Sequence, residues 1–250
     1  MIQQPDAAGR LRLRTAMVSG VAAAVSVAGA VMLLFAGVSA MTEGAVMEGF
    51  PVGLAVPSVI LGVAMPFLAG GLLWGWVLAA LFGGPRWRAA RTGALSLTGM
   101  VLLLEAPVHM SQALPLSDWF PFGLHGAFTV IFALETYLVS RVVSGRMVRR
   151  LGFGGMSKTL GKQVGLVGAG GFVLGSLLAW GLGFEVGSWP PANMVWALHV
   201  ANVVAAFSAG WYLGWRLADS NASSALDRSG SWNDSTPEVG SSRHRRFPDS

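Results

Sequence analysis

Residues 163–184 read QVGLVGAGGFVLGSLLAWGLGF and contain no charged side chain. A helix needs about 20 mostly apolar residues to cross the hydrocarbon core of a bilayer, which is about 30 Å thick. This stretch meets that requirement, and glycine and tryptophan are both common in membrane helices and at their interfaces. It therefore predicts a transmembrane α-helix and decides the class of the protein.

The charged residues divide the rest of the chain into further stretches of the same kind. Two predicted spans contain one internal charge each, Glu105 and Glu135. We predict six spans, at residues 16–41, 52–82, 92–114, 121–142, 163–183 and 192–216. The expected fold is all-α: a polytopic membrane protein whose six-helix transmembrane bundle is built from three helical hairpins.

The overall composition excludes several classes of protein. Hydrophobic residues make up 53% of the chain, charged residues 12%, and the mean hydropathy is +0.58. A soluble domain carries about 25% charged residues, so a soluble enzyme and a disordered regulator are both excluded. Because the chain has no cysteine, it cannot form a disulfide, a thiolate metal site or a cysteine nucleophile.

The connections between the predicted spans alternate in charge. Acidic residues and no Lys or Arg occupy the first, third and fifth connections. The basic residues precede span one, lie in connections two and four or at their edge (Arg141), or end and follow span six. This is the positive-inside pattern, and it predicts a multi-pass protein of the cell (inner) membrane with both termini cytoplasmic. It also explains the sequence pI of about 10.7 without nucleic acid as a partner.

The predicted organisation has three parts. Residues 1–15 form a cytoplasmic N-terminal segment, residues 16–218 the six-span domain, and residues 219–250 a Ser-rich cytoplasmic tail that we expect to be disordered. The start of the chain resembles a signal peptide that would end near Ala40. Its apolar run is longer than the 7–15 residues of such a peptide, so we expect span one to be retained.

Two repeated patterns bear on packing. Leu124-His125 and Leu198-His199 are each followed by a tyrosine about a dozen residues later, which suggests that the two histidines occupy equivalent places. Glycines four residues apart recur in several spans and permit close approach of helices. Besides the lipid bilayer, the expected partners are other membrane subunits or a second copy of the chain, bound through these glycine-rich faces.

Five Glu and His side chains lie inside the predicted spans: Glu105, His109, His125, Glu135 and His199. Such residues are costly in a membrane and are functional candidates by default. The helical rise places all but Glu135 in the outer half of the bilayer, with Glu135 about 21 Å from the outer end of its span. Glu105 and His109 are four residues apart and share a helix face.

Two cofactor hypotheses follow from these residues. Glu105, His109, His125 and His199 would supply one carboxylate and three imidazoles, a ligand set suited to zinc, iron or copper. Alternatively, His125 and His199 would be the axial ligands of haem b. Either site would make the protein a membrane subunit or a small membrane enzyme with its cofactor near the outer face.

Two other hypotheses need no cofactor. Carboxylates and imidazoles exchange protons, so Glu105 and Glu135 would form a proton path in a small proton-coupled transporter or channel. In a structural subunit of a membrane complex, the same side chains would only hydrogen-bond to neighbouring helices. The sequence does not decide whether the protein is an enzyme or what its substrate is.

Overall fold

The structure is a computed structural model that describes residues 7–45, 52–113, 125–184 and 191–230. Side chains are described for residues 9–33, 64–103, 129–184 and 196–222. Over these ranges the chain is helical apart from short turns and has no strand, which confirms the predicted all-α class. The described helices are α1 (Ala7–Ala45), α2 (Val52–Phe82), α3 (Arg86–Ala113), α4 (His125–Arg150), α5 (Ser157–Gly181) and α6 (Pro191–Gly230).

The helices match the predicted spans in order but are mostly longer. α2 has the predicted bounds, whereas α4 ends at Arg150 instead of residue 142 and α6 ends at Gly230 instead of residue 216. A helix need not end at the edge of the bilayer, because its backbone hydrogen bonds are made within the helix and remain satisfied in water. The apolar pattern marks the membrane-embedded part of a helix and not its end.

α6 also enters the segment expected to be a disordered tail. Residues 219–230 continue the helix, and Asp219 forms an ion pair with Arg12 of α1, with 2.7 Å between Oδ1 and Nη1. At the other terminus, α1 begins at Ala7, inside the predicted N-terminal segment. Residues 231–250 lie outside the part of the chain that the structure describes.

The helices pack in chain order. Each helix contacts the next one along the sequence, and α6 returns to pack extensively against α1. Between α3 and α4, which end and begin beside undescribed residues, the contact is less extensive than between the other sequence neighbours. The core between the helices contains fully buried side chains such as Phe172, Leu78, Met147 and Leu213.

Three contacts bring four parts of the chain together at one end of the molecule. Arg12 pairs with Asp219, which joins the start of α1 to the last part of α6. Ser220 Oγ lies 3.5 Å from the sulfur of Met156, in the turn between α4 and α5. The rings of Phe82 and Phe153 meet edge to face at 6.4 Å, which adds the turn between α2 and α3.

We call this end of the molecule the basic end, because the described Lys and Arg residues lie on the parts of the chain that meet there. Those whose side chains are described are Arg10, Arg12, Arg14, Arg86, Arg88, Arg91, Arg141, Arg146, Arg149, Arg150, Lys158, Lys162 and Arg216. Their placement agrees with helices that alternate in direction.

The glycine-rich faces contact helices of the same chain. A Cβ atom at Gly75 would lie 2.6 Å from the carbonyl oxygen of Ala89 in α3. A Cβ atom at Gly175 would lie 2.6 Å from Cα of Ala201 in α6. Both distances are far below van der Waals contact, so these helices can approach as they do only because glycine has no side chain.

Within the described side chains, three helical segments are long and apolar enough to cross a membrane: Gly9–Leu33, Ala64–Phe82 and Gly154–Gly181. They fall in α1, in α2 and around α5. The other three predicted spans each include residues whose side chains are not described. Large apolar side chains are also exposed on the outside of the helices, for example Leu33, Leu103 and Leu166. Exposed apolar surface of this extent is typical of a chain solvated by lipid.

Candidate functional site

A cavity of about 120 Å³ lies between α1, α2, α3, α4 and α6. Most of the residues that line it are apolar, such as Phe67. Four are polar: Glu135, Thr136 and Ser140 of α4, and Asn202 of α6. Glu135 is the one side chain of this lining that can ionise. The cavity is therefore a mostly apolar, partly open space between the helices that contains one carboxyl group.

Hydroxyl groups continue from the cavity along α4 toward the basic end. Thr136, Ser140 and Ser144 are four residues apart, so they lie on one face of the helix. Ser144 is fully buried and its hydroxyl donates to the carbonyl oxygen of Ser140. Farther along, Nη1 of Arg146 donates a long hydrogen bond of 3.4 Å to Ser96 Oγ of α3. Polar side chains of α4 thus recur between the cavity and the basic end.

A second cavity of about 70 Å³ shares Ser140 and several apolar residues with the first. Trp74 and Ser26 line it as well. Ser26 Oγ donates to the carbonyl oxygen of Ala22 at 2.7 Å. The indole Nε1 of Trp74 is buried and has no hydrogen-bond partner among the described residues. Since a buried indole N–H normally has an acceptor, this donor is suited to a water molecule in the smaller cavity.

The larger cavity has the size and polarity that buried water requires. One water needs about 10–15 Å³ of such volume and two to four polar partners. The cavity exceeds that volume several-fold and offers four polar side chains. Water in contact with a carboxyl group and with hydroxyl groups can transfer protons, so the arrangement is chemically suited to proton exchange at Glu135.

The structure describes the side chains of only two of the five predicted site residues, Glu135 and His199. Glu135 lines the cavity, as described above. Glu105 and His109 belong to α3, and His125 is the first residue of α4, but their side chains lie outside the described part. Whether these three side chains approach His199 therefore stays a prediction. Among the described residues there is no group of three or more His, Cys, Asp or Glu that could hold a metal ion.

Helix register relates the positions of these residues to the cavity. Leu97 and Val101 of α3 line the cavity, and Glu105 and His109 follow them at the same spacing of four residues. His125 precedes the cavity-lining Phe132 of α4 by seven residues, which is close to two helical turns. The positions of Glu105 and His125 thus stay near the cavity-lining faces of their helices, away from the basic end, whereas that of His109 is turned about 100° from the cavity-lining face of α3.

His199 lies on the same face of α6 as Asn202, which is three residues away. Its imidazole is partly buried and contacts the ring of Trp196 edge to face, with 6.0 Å between the centroids. Nδ1 of His199 is buried and has no hydrogen-bond partner within the described residues. A buried ring nitrogen without a partner is unusual, and it leaves this atom available to water or to a ligand.

The sequence interpretation missed the neutral polar residues of the site. It selected residues that are charged or that titrate near neutral pH, and Thr136, Ser140, Asn202 and Trp74 do neither. Two signals were available: Asn202 follows His199 by three residues, and the hydroxyl residues of α4 recur every four residues. Both spacings place polar groups on one face of an otherwise apolar helix.

Comparison with protein families, with curated proteins and with solved structures finds no significant match to this chain. Its function must be inferred from its own geometry and chemistry.

Proposed function

We propose that this chain is a multi-pass membrane protein that conducts protons, as a small proton-coupled transporter or channel, with Glu135 as the proton-carrying group. The observation that supports this proposal is the cavity between five helices whose one ionisable lining residue is Glu135. A titratable residue that faces the interior of a membrane protein commonly belongs to an ion or proton pathway.

The neutral lining residues support such a role for Glu135. When Glu135 is protonated, the neutral carboxyl group is compatible with a mostly apolar cavity. When it releases its proton, the carboxylate requires hydrogen-bond donors, and Thr136, Ser140, Asn202 and water are able to donate. Loss and gain of the proton are thereby linked to the hydration of the cavity.

The proposed path has two halves that meet at Glu135. Toward the basic end, protons would pass by way of Ser140 and water in the two adjoining cavities. In the other direction, Asn202 and His199 follow one face of α6, and Glu105 continues the cavity-lining face of α3. Glu105 and Glu135 would then act in sequence, as expected from their depths in the predicted spans.

The proposed orientation places the basic end in the cytoplasm of a cell with this protein in its inner membrane. Both described ends of the chain, at the start of α1 and in the last part of α6, lie at the basic end. Lys and Arg favour the cytoplasmic side of a membrane. All six helices would span the bilayer, as three hairpins. A partner subunit or a second copy would need helix faces other than those of Gly75 and Gly175, which are occupied within the chain.

Proton flux into liposomes tests the proposal directly. Purified protein is reconstituted with a pH-sensitive dye inside, and a potassium gradient with valinomycin drives proton uptake. The wild-type chain should raise the uptake rate above that of protein-free liposomes. Glu135→Gln should return it to that background, because an amide cannot exchange the proton, whereas Glu135→Asp should keep part of it. Ser176→Ala, a buried change in α5 outside both cavities, is the control.

Two results would contradict proton conduction. One is a wild-type rate equal to that of protein-free liposomes. The other is a Glu135→Gln variant that conducts as well as the Ser176→Ala control, since the path would then not include the carboxyl group.

A second candidate function is a metal or haem b site near the outer face, and one observation favours it. His199 Nδ1 is buried without a partner within the described residues, as expected of a nitrogen reserved for a ligand. The chemistry of the other proposed ligands, Glu105, His109 and His125, is suited to a transition metal. The proposed site would supply Lewis-acid or electron-transfer chemistry to a membrane subunit or enzyme.

Metal analysis and an absorption spectrum of the purified protein separate the two candidates. A shared site predicts that His125→Ala and His199→Ala each lose the same metal or the same haem band. Glu135→Gln should retain it, because the helical rise predicts that Glu135 is about 10 Å deeper in the membrane than the mean of the histidines, which is beyond direct ligation. Trp196→Phe, which changes a ring beside His199 without removing an imidazole, is the control. A purified wild-type protein without metal or haem absorption would leave proton conduction as the proposed function.

A further inference from the structure

We propose that a cleft between α4 and α5 at the basic end binds the phosphate group of an anionic phospholipid headgroup. This proposal does not depend on proton conduction. The cleft has a volume of about 550 Å³ and is lined by residues of both helices. Its charged lining residues are Arg141, Arg146, Arg149, Lys158 and Lys162.

Two glycines form the bottom of the cleft, where α4 and α5 come close together. A Cβ atom at Gly161 of α5 would lie 2.9 Å from the carbonyl oxygen of Arg141 and 3.4 Å from Cα of Gly145 in α4. The two backbones therefore touch at a point where neither has a side chain. The long cationic side chains lie around this contact: Arg141 and Arg149 are four residues before and after Gly145, and Lys162 follows Gly161. A cleft whose bottom is formed by glycine and whose sides carry Lys and Arg side chains is suited to binding an anion.

The positive charge of the cleft is not neutralised by the described part of the chain. No ion pair joins any of the five cations to a described carboxylate, whereas Arg12 elsewhere at the basic end is paired with Asp219. Arg141 donates to the hydroxyl of Tyr137, which carries no compensating charge. The first turn of α5, at Ser157, adds the partial positive charge of a helix N-terminus. An anion in the cleft would relieve the repulsion between these groups.

The positive-inside pattern alone does not require this arrangement. That pattern depends on the number of Lys and Arg residues near the ends of the spans and not on their convergence. The turn between α2 and α3 shows the difference: Arg86, Arg88 and Arg91 are exposed there and line none of the cavities described here. Convergence on one cleft is a separate property, and it points to a ligand.

The surface beside the cleft favours a lipid over free phosphate. Leu166 follows Lys162 by one helical turn on α5 and is 66% exposed. On α4, Leu138 and Leu134 continue the face of Arg141 and are 39% and 60% exposed. A phosphate group in the cleft would thus have exposed apolar side chains directly below it, along which acyl chains can lie. Basic pockets between membrane helices on the cytoplasmic side bind anionic headgroups in this way.

Thermal unfolding of the full chain in neutral detergent tests the proposal. The melting temperature is followed during titration with phosphatidylglycerol, with phosphatidylcholine, with sodium phosphate and with a short DNA duplex. Phosphatidylglycerol should raise the melting temperature with saturation, because a ligand that binds only the folded state stabilises it. Phosphatidylcholine, sodium phosphate and DNA should have little effect at matched concentrations.

Matched double variants assign the effect to the cleft. Lys158→Gln with Lys162→Gln removes two charges from the cleft, and the phosphatidylglycerol concentration at half-effect should rise about tenfold or more. Arg88→Gln with Arg91→Gln removes two charges from the same end but outside the cleft. The phosphatidylglycerol concentration at half-effect should then stay near the wild-type value. Lys158→Arg with Lys162→Arg retains the charges and should also behave like the wild type, which controls for misfolding.

Four results would overturn the proposal. They are no stabilisation by phosphatidylglycerol, equal stabilisation by sodium phosphate, equal stabilisation by DNA, and an equal loss of response in the two Gln double variants. The second would assign the cleft to free phosphate and the third to nucleic acid. The fourth would show a general attraction to the basic end.

Discussion

Nη1 of Arg12 lies 2.7 Å from Oδ1 of Asp219, and this ion pair joins the start of α1 to the part of α6 beyond its predicted span. Arg216 approaches the second oxygen of the same carboxylate at 4.0 Å. The pair thereby joins the predicted cytoplasmic N-terminal segment to the first residue of the segment that was expected to be a disordered tail. The side chains of Arg12 and Asp219 are 34% and 37% exposed, so water and salt weaken the attraction between them.

A double-mutant cycle measures the contribution of this contact. Arg12→Gln and Asp219→Asn should each lower the free energy of unfolding, and their coupling should be about 0.5 kcal/mol, as for other partly exposed pairs. The coupling should decrease as salt is added. Denaturant unfolding in a mild detergent is the measurement. Truncation after Gly230 leaves the pair intact and should not change stability, whereas truncation after Ala218 should. A zero coupling energy would show that the contact has no energetic role.

Glycine substitutions test the close contacts between helices. Gly175→Ala in α5 would bring a Cβ atom to 2.6 Å from the backbone of Ala201, so it should destabilise the protein by about 1–3 kcal/mol. Gly170→Ala is the matched control in the same helix, because no atom lies within 4 Å of its added Cβ. It should be neutral or stabilising by up to about 1 kcal/mol, as expected of alanine replacing glycine inside a helix. Equal effects on the melting temperature would contradict the observed contact of α5 with α6.

Ser140 lines both cavities, so its hydroxyl is the test of the route from Glu135 toward the basic end. Ser140→Ala should lower proton flux into liposomes about fivefold, which corresponds to the loss of one hydrogen-bond partner of about 1 kcal/mol. Ser208→Ala makes the same chemical change in α6 at a residue that lines neither cavity, and its flux should equal that of the wild type. If the two variants conduct alike, the proposed route does not include Ser140.

The absence of cysteine makes the chain a ready background for measuring its orientation. Single cysteines at Arg88 and Lys158, at the basic end, should react with a membrane-impermeant maleimide only after the cytoplasmic side is opened. Cysteines in place of Glu43, Asp118 and Glu185 should react in intact cells, because positive-inside orientation places these positions outside. Labelling of Lys158→Cys in intact cells would show that the basic end lies outside, opposite to the proposed orientation.

Glu135 illustrates how much of the candidate site could be predicted. It was recognisable from the sequence, because a carboxyl group inside an apolar helix is rare and costly whatever surrounds it. Ser140 and Asn202 could not be selected in the same way, since Ser and Asn are tolerated in many membrane helices and gain meaning only from their neighbours. His199 was also selected from the sequence, because an imidazole inside an apolar helix is rare. Its partial burial and its contact with the ring of Trp196 could not be predicted.

The sequence by itself determined the all-α class, the apolar helices and the clustering of basic residues on alternate connections. These properties are local, because the cost of placing a charge or an unpaired peptide group in lipid depends on the residues of one segment. Only the tertiary structure decided which faces of the helices meet. Contacts such as that of Gly75 with Ala89 fix the rotation of each helix about its axis. That rotation brings Glu135 of α4 to the same cavity as Asn202 of α6, 67 positions later in the chain, and no local pattern specifies such a pairing.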